Sequence, residues 1–215
     1  AKAGVSTLGA RDIWFDDTVQ RINTDKRGEF LGSFGPDDKI LTITQNGHYK
    51  LSSFDVSNHF DADMILIEKF KPKNPISAIY LDGESKTYFV KRFMIEPTDK
   101  KILFISESEG SRVEIVSTEL LPVVEVKYSK VKDKEVPSEK IDLTQFIEVK
   151  GMKAKGNKLS YSKVKDITLL PPVEVPIDED VQDEFEESGM SPLEAIKKAQ
   201  EPAKDKNLIS IDQQI

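Results

Sequence analysis

Apolar and polar residues alternate through almost every periodic segment before residue 171, and such alternation marks half-buried β-strands. Residues 39–44 lead through Gln45-Asn46-Gly47 into residues 48–51. Asn-Gly supplies the two positive-φ positions of a type I′ turn, so this stretch predicts a hairpin. Residues 75–81, the turn signal Asp82-Gly83 and residues 86–93 predict a second. Residues 101–106, a polar turn ending at Gly110, and residues 112–117 predict a third. Residues 123–128 and 145–149 continue as strands, and no segment before the tail carries a helical period.

The hairpins resemble one another. Residues 38–44 and 100–106 share a charged lead, an apolar alternation and a polar turn, and their starts lie 62 positions apart with another hairpin between. Repeated short-stranded units predict an all-β, propeller-like array of hairpin blades, each needing its neighbours to cover its sheet. A sandwich of the same hairpins is the alternative. After residue 172 the chain changes character. Pro171-Pro172 and Pro176 stop regular structure, and residues 178–187 are mostly carboxylates. Ser191-Pro192-Leu193-Glu194 has the form of a capping-box helix start, predicting a short helix over 192–200. The expected division is therefore a β domain over 1–172 and an acidic tail over 173–215.

Composition narrows the chemistry. The chain has 215 residues, 31 basic and 38 acidic side chains, two His and no Cys. That length is enough to bury a core. The absence of Cys excludes a disulfide scaffold, thiolate zinc and a cysteine nucleophile. No apolar run approaches the ~20 residues of a membrane span. The first residues, Ala1-Lys2-Ala3-Gly4-Val5, lack an initiator Met and an apolar stretch, so they read as a cut end rather than a signal peptide. The net charge of −7 conceals an asymmetry: residues 171–215 carry 12 acidic and 4 basic side chains, whereas residues 127–165 carry 11 lysines against 5 acidic residues. A basic stretch followed by an acidic tail suits contact with a polyanion and an internal competitor for it, or else a solvated face beside a solubilising tail.

Few residues suit catalysis. Asp61 and Asp63 beside His59 have the spacing of an oxygen-ligand site for a divalent ion, but Asn and Asp in a crossover loop also make local backbone hydrogen bonds, which is the preferred account. His48 reads as a surface strand residue. With two His and no Gly-rich phosphate loop, a hydrolase or nucleotide site has little to be built from. The basic residues offer more. Lys26-Arg27-Gly28 occupies a loop, Lys91-Arg92 ends a strand, and Lys153, Lys155 and Lys158 lie in a Gly-bounded loop, Gly151 to Lys158. Lys127, Lys130, Lys132, Lys163 and Lys165 flank that loop. Lysines around flexible glycines let ammonium groups and backbone N–H donors meet successive phosphates, without reading bases.

Several longer segments carry a resemblance. Residues 12–17, 20–32, 53–60, 88–93 and 146–157 resemble, in order, the C-terminal region of the A subunit of bacterial DNA topoisomerase IV, a relative of the gyrase A C-terminal domain. The likeness spans about residues 8–172. It implies a partial β-pinwheel whose basic rim binds and bends duplex DNA, presenting it to a cleavage core. It also implies the rest of the A subunit and the B subunit as partners, a cytoplasmic place at the nucleoid, and no membrane. Carried over, Lys26, Arg27 and Gly28 resemble a degenerate form of the basic Gly-rich box of gyrase, and Lys153, Lys155 and Gly156 a similar loop in the last blade. Glu29 stands where that box continues with Gly and Lys, so bending or capture of DNA is expected rather than strong chiral wrapping. The family's catalytic tyrosine follows an arginine, and no Arg-Tyr pair occurs here. No cofactor is expected on this chain; ATP and Mg belong to other domains or subunits of the parent enzyme. The leading rival is a protein-interaction β-array that does not bind DNA, and a weaker one is a metalloenzyme built around Asp61 and Asp63.

Overall fold

The computed structural model describes residues 10–172. The chain divides into a unit ending at Glu174 and a second unit, Val175–Ile215, which lies outside the described residues together with the helix expected over 192–200.

The described chain is an all-β array of hairpin blades, as the alternation predicts. It forms four antiparallel sheets. In the first, β1 (Arg11–Asp16) is flanked by β2 (Arg21–Asn23) and β3 (Glu29–Phe34). In the second, β4 (Ile40–Thr44) pairs with β5 (His48–Ser52) on one side and β6 (Met64–Lys69) on the other. The third places β7 (Ile76–Asp82) between β8 (Thr87–Phe93) and β10 (Arg112–Ser117). The fourth places β11 (Val123–Tyr128) between β12 (Glu139–Asp142) and β14 (Val164–Leu169).

Two short strands interleave these sheets. β9 (Ile102–Leu103) follows the β7–β8 hairpin in the chain but pairs back onto β5. β13 (Asn157–Lys158) follows β11 and β12 but pairs back onto β8. The predicted third hairpin therefore does not form: its first arm closes the second sheet and its second arm, β10, joins β7. For the same reason residues 38–44 and 100–106 are not equivalent. The first holds a central strand and the second a two-residue edge.

The remaining corrections are local. Residues 145–149 are not a strand. Asp142 accepts a hydrogen bond from the Thr144 N–H (2.9 Å) and caps a single helical turn, α1 (Leu143–Phe146), the one helix among the described residues. At Asn46-Gly47 only Gly47 has positive φ, so the turn is not type I′. The Gly47 N–H bonds to the Thr44 carbonyl (3.0 Å), which is the three-residue loop ending in a left-handed glycine. Its outward backbone groups are used by neighbours, Phe104 N–H on the Gly47 carbonyl and Val113 N–H on that of Gln45. Paired positive-φ residues occur instead at Lys132 and Asp133, where Val131 and Lys134 exchange two 3.0 Å hydrogen bonds.

The core lies between successive sheets. β4 sends Ile40 to one cluster with Ile13, Phe15 and Phe34, and Leu41 and Ile43 to the next with Tyr49, Phe93 and Phe104. β7 and β8 likewise divide, Tyr80 and Phe93 facing one cluster and Ile79 and Val90 the other. These central strands are thus buried on both faces, and each buried Ile or Phe contributes about 1.5–3 kcal/mol relative to exposure.

A charged side chain crosses this core. Lys91, 4% exposed, donates from Nζ to the carbonyls of Phe104, just after β9, and Met152, 2.6 Å away and shortly before β13. Its ammonium also stands 5.3 Å from the Phe93 ring centroid. One buried cation therefore ties both interleaved segments to β8. Burial pushes its pKa down to about 8 from the ordinary 10.5. Between those two values the native state binds fewer protons than the unfolded chain, so stability rises with pH across that window. Urea unfolding of the wild type and of Lys91→Met across this range tests the point. The wild type is expected to gain about 3 kcal/mol on the variant from pH 8 to 10.5, and a flat difference would show that the ammonium keeps its proton.

Candidate nucleic-acid interface

The segment that covers the free edge of β8 carries most of the basic Gly-bounded loop. Its backbone is fastened at short intervals. Lys150 N–H donates to the Arg92 carbonyl (2.9 Å), the Met152 carbonyl accepts from Lys91, and the Lys155 carbonyl accepts from the Tyr80 hydroxyl (2.8 Å). Asn157 and Lys158 then pair with Val90 and Phe89, and Leu159 N–H donates to the Tyr88 carbonyl (2.9 Å). Gly156 permits this approach: at φ +94° a Cβ would lie 2.2 Å from the Val90 carbonyl oxygen. With the backbone so fastened, Lys150, Lys153, Lys155 and Lys158 are exposed along the segment. Lys153 sits in a turn closed by Ala154 N–H on the Gly151 carbonyl (3.0 Å).

The lysines are not equivalent. Lys155 Nζ lies 3.7 Å from Asp82 and 4.6 Å from the Phe89 ring centroid, so it is engaged within the fold. Asp82, 2% exposed, accepts hydrogen bonds from the hydroxyls of Ser106 (2.6 Å), Ser85 (2.5 Å) and Ser108 (3.2 Å) and from Ser85 N–H. Ser106 first, then Ser85, hold its carboxyl well below the usual carboxylate range. Burial, with Asp82 nearby, pushes the Tyr80 hydroxyl up to about 12, which keeps it a hydrogen-bond donor to the loop.

A second group of cations gathers on the fourth sheet. Lys127, Lys130 and Lys165 line one groove with Tyr128, Glu135 and Val136. Lys130 pairs with Glu135 at 3.2 Å in the open, where such a pair contributes little, and Lys127 lies 3.9 Å from half-buried Glu125. Lys132 stands in the Val131–Lys134 turn, and Lys163 is exposed just before β14.

Lys26, Arg27 and Gly28 lie apart, on the first sheet. Buried Asn23 shapes their loop, its Oδ1 accepting from Asp25 N–H (3.0 Å) and Arg27 N–H (3.1 Å) and its Nδ2 donating to the Arg27 carbonyl (2.9 Å). Gly28 has no room for a side chain, since a Cβ would lie 2.0 Å from the Phe15 carbonyl oxygen. The Arg27 guanidinium is exposed and 3.4 Å from Asp25.

Lys91 and Arg92 require correction. They lie inside β8, not on a rim, because β8 is buried on both faces. Arg92, 2% exposed, donates to Ser77 Oγ (3.0 Å) and the Ile147 carbonyl (3.4 Å), while its Nη2 has no partner among the described residues. Burial lowers its pKa against the opposing pull of Asp142. The Lys91 side chain holds the loop at Met152, whereas that of Arg92, on the opposite face of β8, holds the end of α1 at Ile147. At the other candidate site, Asp61 is taken by Lys101 at 2.8 Å, and no group of three or more His, Asp or Glu among the described residues is placed to hold a metal. His48, partly buried, has its pKa lowered by burial and by Lys101. Sequence reasoning missed Tyr161, the most exposed large apolar side chain described, whose setting among Ser160, Ser162 and Lys163 was its only signal.

No helix among the described residues is long and apolar enough to cross a membrane. No curated protein matches the chain. Among solved structures, the crystal structure of the C-terminal domain of DNA topoisomerase IV is similar, at 13% identity and a TM-score of 0.49, over 76% of this chain. This chain spans 62% of that structure's length. The family model for the topoisomerase C-terminal domain of Bacteroidota matches residues 21–171, and the chain belongs to that family.

Proposed function

We propose that this domain is a non-catalytic, duplex-DNA-binding region of a type IIA topoisomerase A subunit. It acts with the remainder of that subunit and with the B subunit, in the cytoplasm at the nucleoid. The observation that carries this reading is the set of exposed lysines on a backbone fastened to the β8 edge. Ammonium groups on a fixed backbone meet successive phosphates with little loss of chain freedom and release condensed counterions. The groove of Lys127, Lys130 and Lys165 and the exposed Lys163 extend the same cationic surface in sequence. Lys26 and Arg27 give a separate point of contact, from which DNA would be bent rather than merely held. Such contacts address the phosphodiester backbone, so binding is insensitive to base sequence.

Fluorescence anisotropy on a short random-sequence duplex across a salt series tests this. The expected result is a steep negative slope that is independent of sequence. A chain ending at residue 171 sheds the tail's excess of 12 acidic over 4 basic residues and is expected to bind more tightly. Absence of binding by either chain at low salt would favour the protein-interaction array. Neutralising Lys153, Lys155 and Lys158 together is expected to flatten the slope by about two, at roughly 0.9 per lost phosphate contact. Lys155 adds little because Asp82 and Phe89 already hold it. An unchanged slope would show that this loop does not touch DNA.

A further inference from the structure

Tyr161 is 93% exposed; the next large apolar side chain, Val131, is 56% exposed. The other four tyrosines, Tyr49, Tyr80, Tyr88 and Tyr128, are buried or half-buried in strands. The turn that carries Tyr161 is anchored at both ends. Leu159 is buried and donates its N–H to the Tyr88 carbonyl, and the Lys163 carbonyl accepts from Ser129 N–H at 2.9 Å. Between these points Ser160 Oγ accepts from Ser162 N–H (3.0 Å), which closes a tight turn with Tyr161 at its tip.

One cation stands over the ring, and two more follow in sequence. Lys158 Nζ stands 4.5 Å from its centroid, and Lys163 and Lys165 follow, both exposed. Among the described residues, no aromatic or cation besides Lys158 is placed against the ring. An aromatic with an apolar body and a polar tip, held in water against the Lys158 ammonium, matches a surface that alternates charged and apolar strips. Duplex DNA is such a surface, with phosphate rows bordering a minor groove walled by deoxyribose and base edges.

We infer that Tyr161 is a DNA-contact residue, its ring packing on sugar and base edges in the minor groove while Lys158 and Lys163 hold phosphates beside it. This rests on the DNA-binding reading above. The contact adds affinity that salt does not screen, unlike that of the lysines around it.

Y161A and Y161F, compared with the full chain by anisotropy on the random-sequence duplex, test the assignment. Y161A is expected to bind roughly fivefold more weakly, the low end of aromatic contacts to bases, with an unchanged salt slope. Y161F is expected to stay near the wild type, and neither change should move the melting temperature of so exposed a site. In protein carrying 3-fluorotyrosine, the ¹⁹F resonance lost in Y161A should shift when duplex is added. Wild-type affinity in Y161A, or a resonance that does not move, overturns the inference and leaves the DNA-binding reading standing. A slope reduced by about one in Y161A also overturns it, because the ring would then serve only to orient Lys158. No binding by the wild type at low salt removes the DNA-binding reading and this contact with it.

Discussion

An uncovered strand edge leaves backbone N–H and C=O groups to find partners elsewhere, and that need organises this molecule. β8 is the critical case, because Val90, Lys91, Arg92 and Phe93 are all buried. The chain covers its edge with residues 150–159, which supply Lys150 N–H to Arg92, the pairing of Asn157 and Lys158, and Leu159 N–H to Tyr88. A segment laid on an edge in this way spends its backbone groups on the sheet and stands its side chains to either face, so that Met152 and Leu159 pack inward while Lys150, Lys153, Lys155 and Lys158 reach water. The exposure of these lysines follows from closing the sheet, so the surface read here as the DNA interface and the integrity of the fold share one set of hydrogen bonds.

The buried charges serve the same arrangement. Taking an ammonium or a carboxylate out of water costs several kcal/mol unless hydrogen bonds replace the lost hydration. Lys91 recovers part of that from two carbonyls on different segments, and Asp82 recovers it from three hydroxyls, a backbone N–H and Lys155. Each charge thereby fixes where a distant stretch of chain must lie. An apolar residue in either place would fill the volume without choosing among positions of the loop.

The class of fold was legible from alternation alone, and the hairpins β4–β5 and β7–β8 fall where the turn signals put them. The pairing of residues 101–106 was not legible. Ile102 and Leu103 carry the apolar pattern of a strand, and nothing local distinguishes the sheet they left from the sheet they join. The one-turn helix was hidden because Phe146 and Ile147 satisfy a strand pattern, while Asp142 had already offered the cap. Among the candidate contacts, Lys153, Lys155 and Lys158 are exposed, although Lys158 stands in β13 and not in a loop. Lys91 and Arg92 misled because their charge suggested a surface, whereas burial of β8 on both faces is a property of stacked sheets that no single strand records.

The interleaving of β9 and β13 also bears on how such a chain is taken apart. Each closes a sheet whose hairpin lies well before it in sequence, with another hairpin in between. No single nick between residues 53 and 156 can therefore liberate an intact sheet: the fragments on either side stay laced through each other's hydrogen bonds. A protease meeting this region must unravel two neighbouring sheets to carry off one. For the same reason, a recombination event that transplants a single hairpin would leave behind the strand that completes it.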